Sequence, residues 1–455
     1  PKLPKFRFSD VQQHGSKHEN PWIIRGTKVY DITDWVAAHP GGEIILRAAG
    51  GSVEPYWKIF KIHEKQFVYD ILEQYLIGTV DERDLVDGKV PLENIEDPFA
   101  TDPIRDARLR TLTDKPCNAE TPGEVLKDYI TPNEVFYVRN HMWVPIVDDT
   151  YRLTIELADG SEASYSLQDL KDKFKKYTIT SVMQCSGNRR KQMNDSVRPT
   201  NGLQWTVGGI GNATWAGVRL RDVLADAGFS VDDPPEDSQH AQFMGLEAYG
   251  GSIPIGKAVD AHGDVLLAYE MNGETLPPDH GHPIRVVVPG HVAARSVKWL
   301  SKITISDDES MSQWQRKDYK CFGPNEAGKE NWAKARSIQE MPITSAFTSV
   351  SKISDELVAH GFAYSGGGRE IVRVDVSEDN GKTWKQAELV DGDRKGHKAW
   401  AWKRWKYQIS PEGAANGAEL VVKATDEAYN TQPERYDAIY NVRGNLATAW
   451  HRVQL

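Results

Sequence analysis

Cysteine is scarce in this chain. Its 455 residues include three, Cys117, Cys185 and Cys321, far apart and with no CxxC pair, which excludes a disulfide framework and a zinc ribbon. Any thiol chemistry falls to one thiolate acting alone. No apolar run approaches the length of a membrane span, so membrane insertion is not expected. There is no internal repeat and no low-complexity tract. Hydrophobic residues at 39% and charged residues at 26% give the balance of a soluble globular protein and exclude bulk disorder. Positive charge is also short: 55 Lys and Arg stand against 65 Asp and Glu, a net charge of −10. That argues against a nucleic-acid binder and permits attraction to a basic protein partner. Pro1 to Asp10 has no initiator Met, no apolar signal core and no Arg-rich amphipathic stretch, so it reads as a processed or trimmed start from which no compartment follows.

What the chain does contain is organised in blocks. The length suggests about three domains. Residues 1–80 hold 10 basic against 9 acidic side chains, whereas residues 81–106 hold 3 against 9. Together with Pro91, Pro98 and Pro103, this places a solvated, self-repelling acidic linker over residues 82–97. Upstream, Lys28 to Trp35 starts as a strand, and Val68, Ile71, Leu72, Tyr75 and Leu76 repeat at helical spacing, so residues 1–81 read as a small α+β domain. Residues 98–338 mix short apolar strands such as Ile284–Val288 with amphipathic helices such as Leu220–Ala227. They lack strict βαβ alternation, which disfavours a doubly wound sheet. From 339 to 455 the runs become short and alternating, as in Ile371–Val376 and Leu420–Lys423, with a hairpin turn at Asp379–Lys382. That is a β-sandwich pattern.

The first chemical signal is His39-Pro40-Gly41-Gly42, a histidine in a tight turn whose glycines let the backbone pass close to a flat ligand. His63 follows 24 residues later. Two neutral imidazoles from separate elements can clamp an iron from opposite faces and leave no open position, which suits electron transfer and not oxygen binding. Trp22-Ile-Ile, Lys28–Trp35, His39–Gly42 and the segment from His63 to Gly78 together resemble the cytochrome b5 family. The resemblance implies one haem b per chain, held by His39 and His63. His14 and His18 read as surface residues.

The second signal is Gln184-Cys185-Ser186-Gly187-Asn188-Arg189-Arg190. A soft thiolate beside cations suits a transition metal, although the heptapeptide taken alone equally describes an inert buried cysteine beside surface arginines. Phe136–His141, the Cys185 segment, Asp279-His-Gly-His-Pro-Ile-Arg285, Arg295–Trp299 and Asp318–Lys320 occur in the order seen in sulfite oxidases and eukaryotic nitrate reductases. That resemblance implies one molybdenum–molybdopterin per chain, with Cys185 as the metal ligand. It assigns Tyr137, Val138, Arg139, Asn140, His141, His280, Arg285, Ser296, Val297 and Lys298 to the pterin and its phosphate. It also assigns Arg139, Arg190 and Arg443 to an oxyanion, which the planar guanidinium fork matches, and places Trp205 and Tyr319 on the pocket wall. Two positions depart from the family: Glu247 stands in a shorter segment where relatives have an Asp, and Cys321 replaces a Gly beyond Tyr319.

The fold expected is multidomain α+β: a cytochrome b5-like domain, a mixed α+β molybdopterin domain and an immunoglobulin-like sandwich that makes a homodimer. The resemblance implies oxidation of sulfite to sulfate, with electrons leaving singly through the haem to cytochrome c in the mitochondrial intermembrane space. A nitrate reductase is the nearest rival. It places its haem domain after the molybdenum motifs and adds a flavin segment, whereas here the haem motif comes first, the chain ends at Leu455 without a flavin segment, and Arg443 matches the sulfite branch. The rival from another class is a haem electron carrier with a degenerate molybdenum domain, against which Cys185, Arg139, Arg190 and Tyr319 argue. Asn194-Asp-Ser196 and Asn212-Ala-Thr214 match the glycosylation pattern by chance.

Overall fold

The computed structural model describes residues 3–36, 39, 42–59, 63, 66–91, 97–247, 249–391, 397–415 and 419–455. Pro40 and Gly41 of the histidine turn, and residues 92–96 of the acidic stretch, lie outside the described residues. Contacts group the chain into two units, Pro1–Thr101 and Asp102–Leu455.

In the first unit four strands pair in the order Lys5–Phe6, Leu76–Val80, Lys28–Asp31, Trp22–Arg25. Alternation sends Ile23 and Tyr30 to one face and Ile24 and Val29 to the other, so both faces are covered. On the first face Ile32, Val53 and Leu72 complete the core, supplied by the segment after the sheet and by the helix Gln66–Glu73. Val68, Ile71 and Leu72 lie on that helix as their spacing predicts. Tyr75 and Leu76 leave it, because pairing with Lys28–Asp31 captures the backbone there as a strand. At the start of the acidic stretch Lys5 donates to Glu82 at 3.0 Å and Arg7 to Asp84 at 2.7 Å. Val90 is buried against Val11, Ile24, Val29 and Val80.

The second unit carries two five-stranded sheets. One contains Tyr177–Gln184, Ile210–Arg219, Leu266–Met271, Glu274–Thr275 and Arg285–Val287. The other contains Gly250–Pro254, His240–Gly245, Leu300–Ser306, Leu153–Glu156 and Glu162–Tyr165. Pairing is antiparallel except between Leu300–Ser306 and Leu153–Glu156, which fits the absence of βαβ alternation. A small sheet of Arg110–Thr113, Asn118–Glu120 and Val138–Arg139 lies in the same unit. Beyond Thr344 two four-stranded sheets face each other across Phe347, Val374, Val376, Trp405, Leu420 and Val422, a β-sandwich. The turn at Asp379–Lys382 has Asn380 and Gly381 at φ 59° and 84°, a left-handed pair inside the longer loop that joins Ile371–Ser377 to Lys385–Gln386. Among the described residues no helix is long and apolar enough to cross a membrane.

Arg189 joins the central part of this unit to the sandwich. It is fully buried, and its guanidinium donates to the Ser345 carbonyl at 3.0 Å, the Ala449 carbonyl at 2.7 Å and the Tyr436 hydroxyl at 2.7 Å. Of the two glycosylation matches, Asn212 is buried and its amide nitrogen donates to the Tyr129 carbonyl, whereas Asn194 is half-buried with its amide nitrogen donating to Gln204 at the surface.

Candidate functional site

Cys185 sits where the strand Tyr177–Gln184 ends. Its amide donates to the Gly209 carbonyl at 2.9 Å, and its sulfur accepts from the Gly187 amide at 3.4 Å. Cys185 lines a cavity. Tyr137, Arg139, His141, His280, Arg285, Ser296, Val297, Lys298 and Tyr319 line the same cavity, so ten of the assigned residues, with Cys185, converge there.

Elements explain the convergence. The strand Arg285–Val287 delivers Arg285 from the floor of one sheet. Its Nη1 donates to the His280 carbonyl and its Nη2 to the Ser296 carbonyl, both at 2.9 Å, while its Nε has no partner among the described residues. Nη2 also reaches the Met183 sulfur at 2.9 Å, and the guanidinium lies over the Trp215 ring at 5.1 Å, so this buried cation has no carboxylate partner among the described residues and suits an anion. Lys298 is half-buried, donates to the Asp279 carbonyl at 2.9 Å and to the Asn140 side chain, and is pushed down to about 7 by desolvation. His280 is pushed down to about 4 by burial. It faces the Asn133 carbonyl through Nε2 at 3.0 Å, and since a carbonyl only accepts, Nε2 carries the proton and Nδ1 is left as an acceptor.

The remaining assigned residues do not line the cavity. Val138 packs into a separate core with Leu109, Cys117, Ala119 and Val135. Asn140 is buried, donates to Asp279 at 3.0 Å and accepts from Lys298, so it positions that lysine. Trp205 is buried edge-on to the Tyr137 ring, 6.2 Å between centroids. Arg190 begins the helix Arg190–Ser196, donates to the Leu203 carbonyl at 2.6 Å and to Asn445, and lies between Gly187 and Gly202, where a Cβ on either would meet its guanidinium within 2.7 Å. Its electrostatic neighbours are Cys185, Arg139, Tyr319 and Arg443. Arg443 is ion-paired to Asp318, next to Tyr319, whose hydroxyl is 3.4 Å from His141 Nε2.

Sequence reasoning did not assign Asp279, Tyr249 or Met183, all of which line the cavity. Asp279 lies within the quoted motif, and its bidentate partner Arg105, at 2.9 Å on both oxygens, is 174 residues away, a link no local pattern reveals. Tyr249 stacks against His141 and Trp314 and donates to the Ala294 carbonyl at 3.0 Å. Glu247, flagged only as a departure, lines the cavity with one carboxylate oxygen unpartnered and is pushed up to about 8 by burial. Cys321 is exposed and does not line it. Cys117 is buried, and burial pushes its thiol up to about 11.

The donor set fits a phosphate-bearing molybdenum pterin: one soft sulfur, cations from Arg139, Arg285 and Lys298, and unpartnered polar atoms on Arg285 and Glu247 that hydrogen-bonding ring edges would satisfy. In the first unit the His39 and His63 rings lie 6.2 Å apart between centroids and within 8° of parallel. Two metal–nitrogen bonds of about 2 Å each plus the half-widths of the two rings span that gap, so the pair fits an iron in a haem plane between them.

Known proteins agree with this division. The profile of the cytochrome b5-like heme/steroid binding domain matches residues 7–81, that of the oxidoreductase molybdopterin binding domain residues 141–314, and that of the Mo-co oxidoreductase dimerisation domain residues 333–455. The sulfite oxidase of Gallus gallus is 45% identical over 469 residues, covering 99% of this chain and 100% of that protein. Mitochondrial sulfite oxidase of Rattus norvegicus is 44% identical over 99% of this chain and 84% of its own length. A nitrate reductase of Phaseolus vulgaris is 33% identical over 77% of this chain but only 43% of its own. Among solved structures the sulfane dehydrogenase SoxCD of Paracoccus pantotrophus superposes with a TM-score of 0.64 at 27% identity, over 83% of this chain and 97% of that one.

Proposed function

This chain belongs to the sulfite oxidase family, and from that premise we propose how its residues divide the work of oxidising sulfite to sulfate. The protein is a molybdenum-dependent oxidoreductase with a b-type haem, and its dimerisation domain makes it a homodimer. When bound, the molybdenum pterin supplies oxygen transfer and takes up two electrons, and the haem passes electrons on singly.

Cys185 holds the metal. Arg285, Lys298, His280, Tyr137, Val138, Arg139, Asn140, His141, Ser296 and Val297 hold the pterin and its phosphate, some by contact and some, like Asn140, through a neighbour. Arg139, Arg190 and Arg443 attract sulfite and orient its oxygens with fixed positive charge. Tyr319 offers a hydroxyl to the bound anion, and Trp205 backs the wall behind Tyr137. His39 and His63 hold the iron. The domains run 1–81, 98–338 and 339–455, joined by 82–97, whose first part does not stay solvated as the acidic composition predicts but packs on the first domain through Glu82, Asp84 and Val90. Cytochrome c is the acceptor and the mitochondrial intermembrane space the setting, in line with the mitochondrial relatives.

The observation that carries this reading is the convergence of one thiol sulfur and three cations on a single cavity, in a chain that also offers two parallel imidazoles 6.2 Å apart. Metal analysis followed by visible absorbance tests it. Stoichiometric molybdenum and a reduced haem spectrum on adding sulfite are expected. Molybdenum with no response to sulfite, but reoxidation of the reduced haem by nitrate, would overturn it. Reduced cytochrome c accumulating with sulfite is the separate check on the acceptor.

A further inference from the structure

His63 does not stand alone in the haem unit. The Trp57 indole lies against its ring, 5.3 Å between centroids and 13° from parallel, the offset stacking that aromatic quadrupoles favour. Behind Trp57 comes Tyr69, at 5.7 Å and 25°. Over Tyr69 sits the Arg25 guanidinium, 3.9 Å from the ring centroid and 5.5 Å from that of Trp57, within the range of a cation–π contact. Three separate elements supply the column: Trp22–Arg25, Glu54–Ile59 and Gln66–Glu73. His39 has a different neighbour, Trp35, which meets it edge-on at 75°.

We infer that Trp57 is the positioning residue that keeps the His63 imidazole parallel to that of His39, and that Arg25, at the outer end of the stack, clamps it and biases the haem toward its reduced form. This rests on His39 and His63 being the iron ligands. An axial imidazole can turn about its metal bond, and the relative planes of two such rings set the splitting of the iron orbitals. A broad indole face against one ring removes that rotation. A rigid cation near a centre that gains an electron favours the reduced state, and burial and charge are among the levers that set haem potential. Arg25 also interacts with Tyr30 and Glu73, but Glu73 is matched by Lys28 at 2.8 Å and by the Tyr30 hydroxyl at 2.9 Å, which leaves the local charge positive.

The experiment compares the full-length holoprotein with its W57L, W57F and R25Q variants, by EPR of the ferric haem and by redox titration. The parent should give a low-spin rhombic spectrum with three resolved g values, the signature of near-parallel axial rings. A parent that holds no low-spin haem overturns the ligand assignment itself, and the inference with it. Given the parental spectrum, W57L should lose rhombicity and broaden, while W57F, which keeps a ring in place, should retain the parental g values. R25Q should keep those g values and shift the midpoint potential downwards. Parental g values in W57L, or an equal change in W57F and W57L, overturns the role of Trp57. An unshifted potential in R25Q overturns that of Arg25, and that measurement decides if W57L fails to retain haem.

Discussion

Arg190 is fixed less by what it binds than by the room left for it, wedged between two glycines and anchored on the Leu203 carbonyl. A guanidinium so constrained is pre-organised for an anion, and a charge-assisted contact of this kind contributes about 1.5–3 kcal/mol. Arg190→Gln is therefore expected to lower kcat/KM for sulfite by about tenfold to a hundredfold, mainly through KM. Steady-state turnover with an artificial acceptor measures this. Weaker affinity for cytochrome c with unchanged sulfite turnover would move Arg190 out of the anion site. Glu247 makes a different prediction. Its carboxyl is pushed up to about 8 in the folded chain, above the ordinary carboxyl range, so the folded state keeps a proton that the unfolded chain has released. Its contribution to stability is present at low pH and is lost as pH rises through about 8. In cofactor-free protein, urea unfolding at pH 5, 6.5 and 8 should show E247Q losing less stability with rising pH than the parent does.

Individual elements show where sequence patterns suffice and where they stop. Strands such as Ile371–Ser377 and the left-handed turn at Asn380 and Gly381 were legible because alternation and turn chemistry are local. The helix end near Tyr75 was not, because a strand pairing competes there for the same backbone. Close approach of strands is equally invisible in the sequence. Gly217 sits at a register shift between Ile210–Arg219 and Leu266–Met271, where an added Cβ would lie 2.0 Å from the Leu267 carbonyl oxygen. Gly217→Ala must push these strands apart beneath Arg285 and the cavity, at a cost of about 1–3 kcal/mol. A lowered thermal midpoint, together with reduced molybdenum content, is the expected outcome.

At the scale of the whole second unit, the site motifs were legible as a series in chain order, but the links that hold them together were not. Asp279 with Arg105, and Arg443 with Asp318, join residues more than a hundred positions apart. Burial adds a property that no motif carries: His141, His280, His291 and His451 are all held uncharged by it, His280 near 4 and His291 near 3. Each adds stability that is fully present above the ordinary histidine range near 6.5 and is lost as pH falls through those depressed values. The thermal midpoint should therefore drop steadily from pH 7 to pH 4, and a flat profile would contradict the assignment. Removing Arg189 strands the Ser345 and Ala449 carbonyls between the central sheets and the sandwich, so R189A should cost about 2–6 kcal/mol, at about 1–3 for each stranded carbonyl, and split one calorimetric transition into two. Arg189 and Arg190 are consecutive, yet the left-handed backbone at Arg189, φ 64°, sends one into the seam and the other toward Cys185 and Arg139, where we propose the anion binds. A stretch of chain that answers to both demands has little freedom to drift: a change tolerated for substrate selection can be forbidden by assembly. Variants recovered here in a screen for altered substrate preference will be those that first survived a test of architecture.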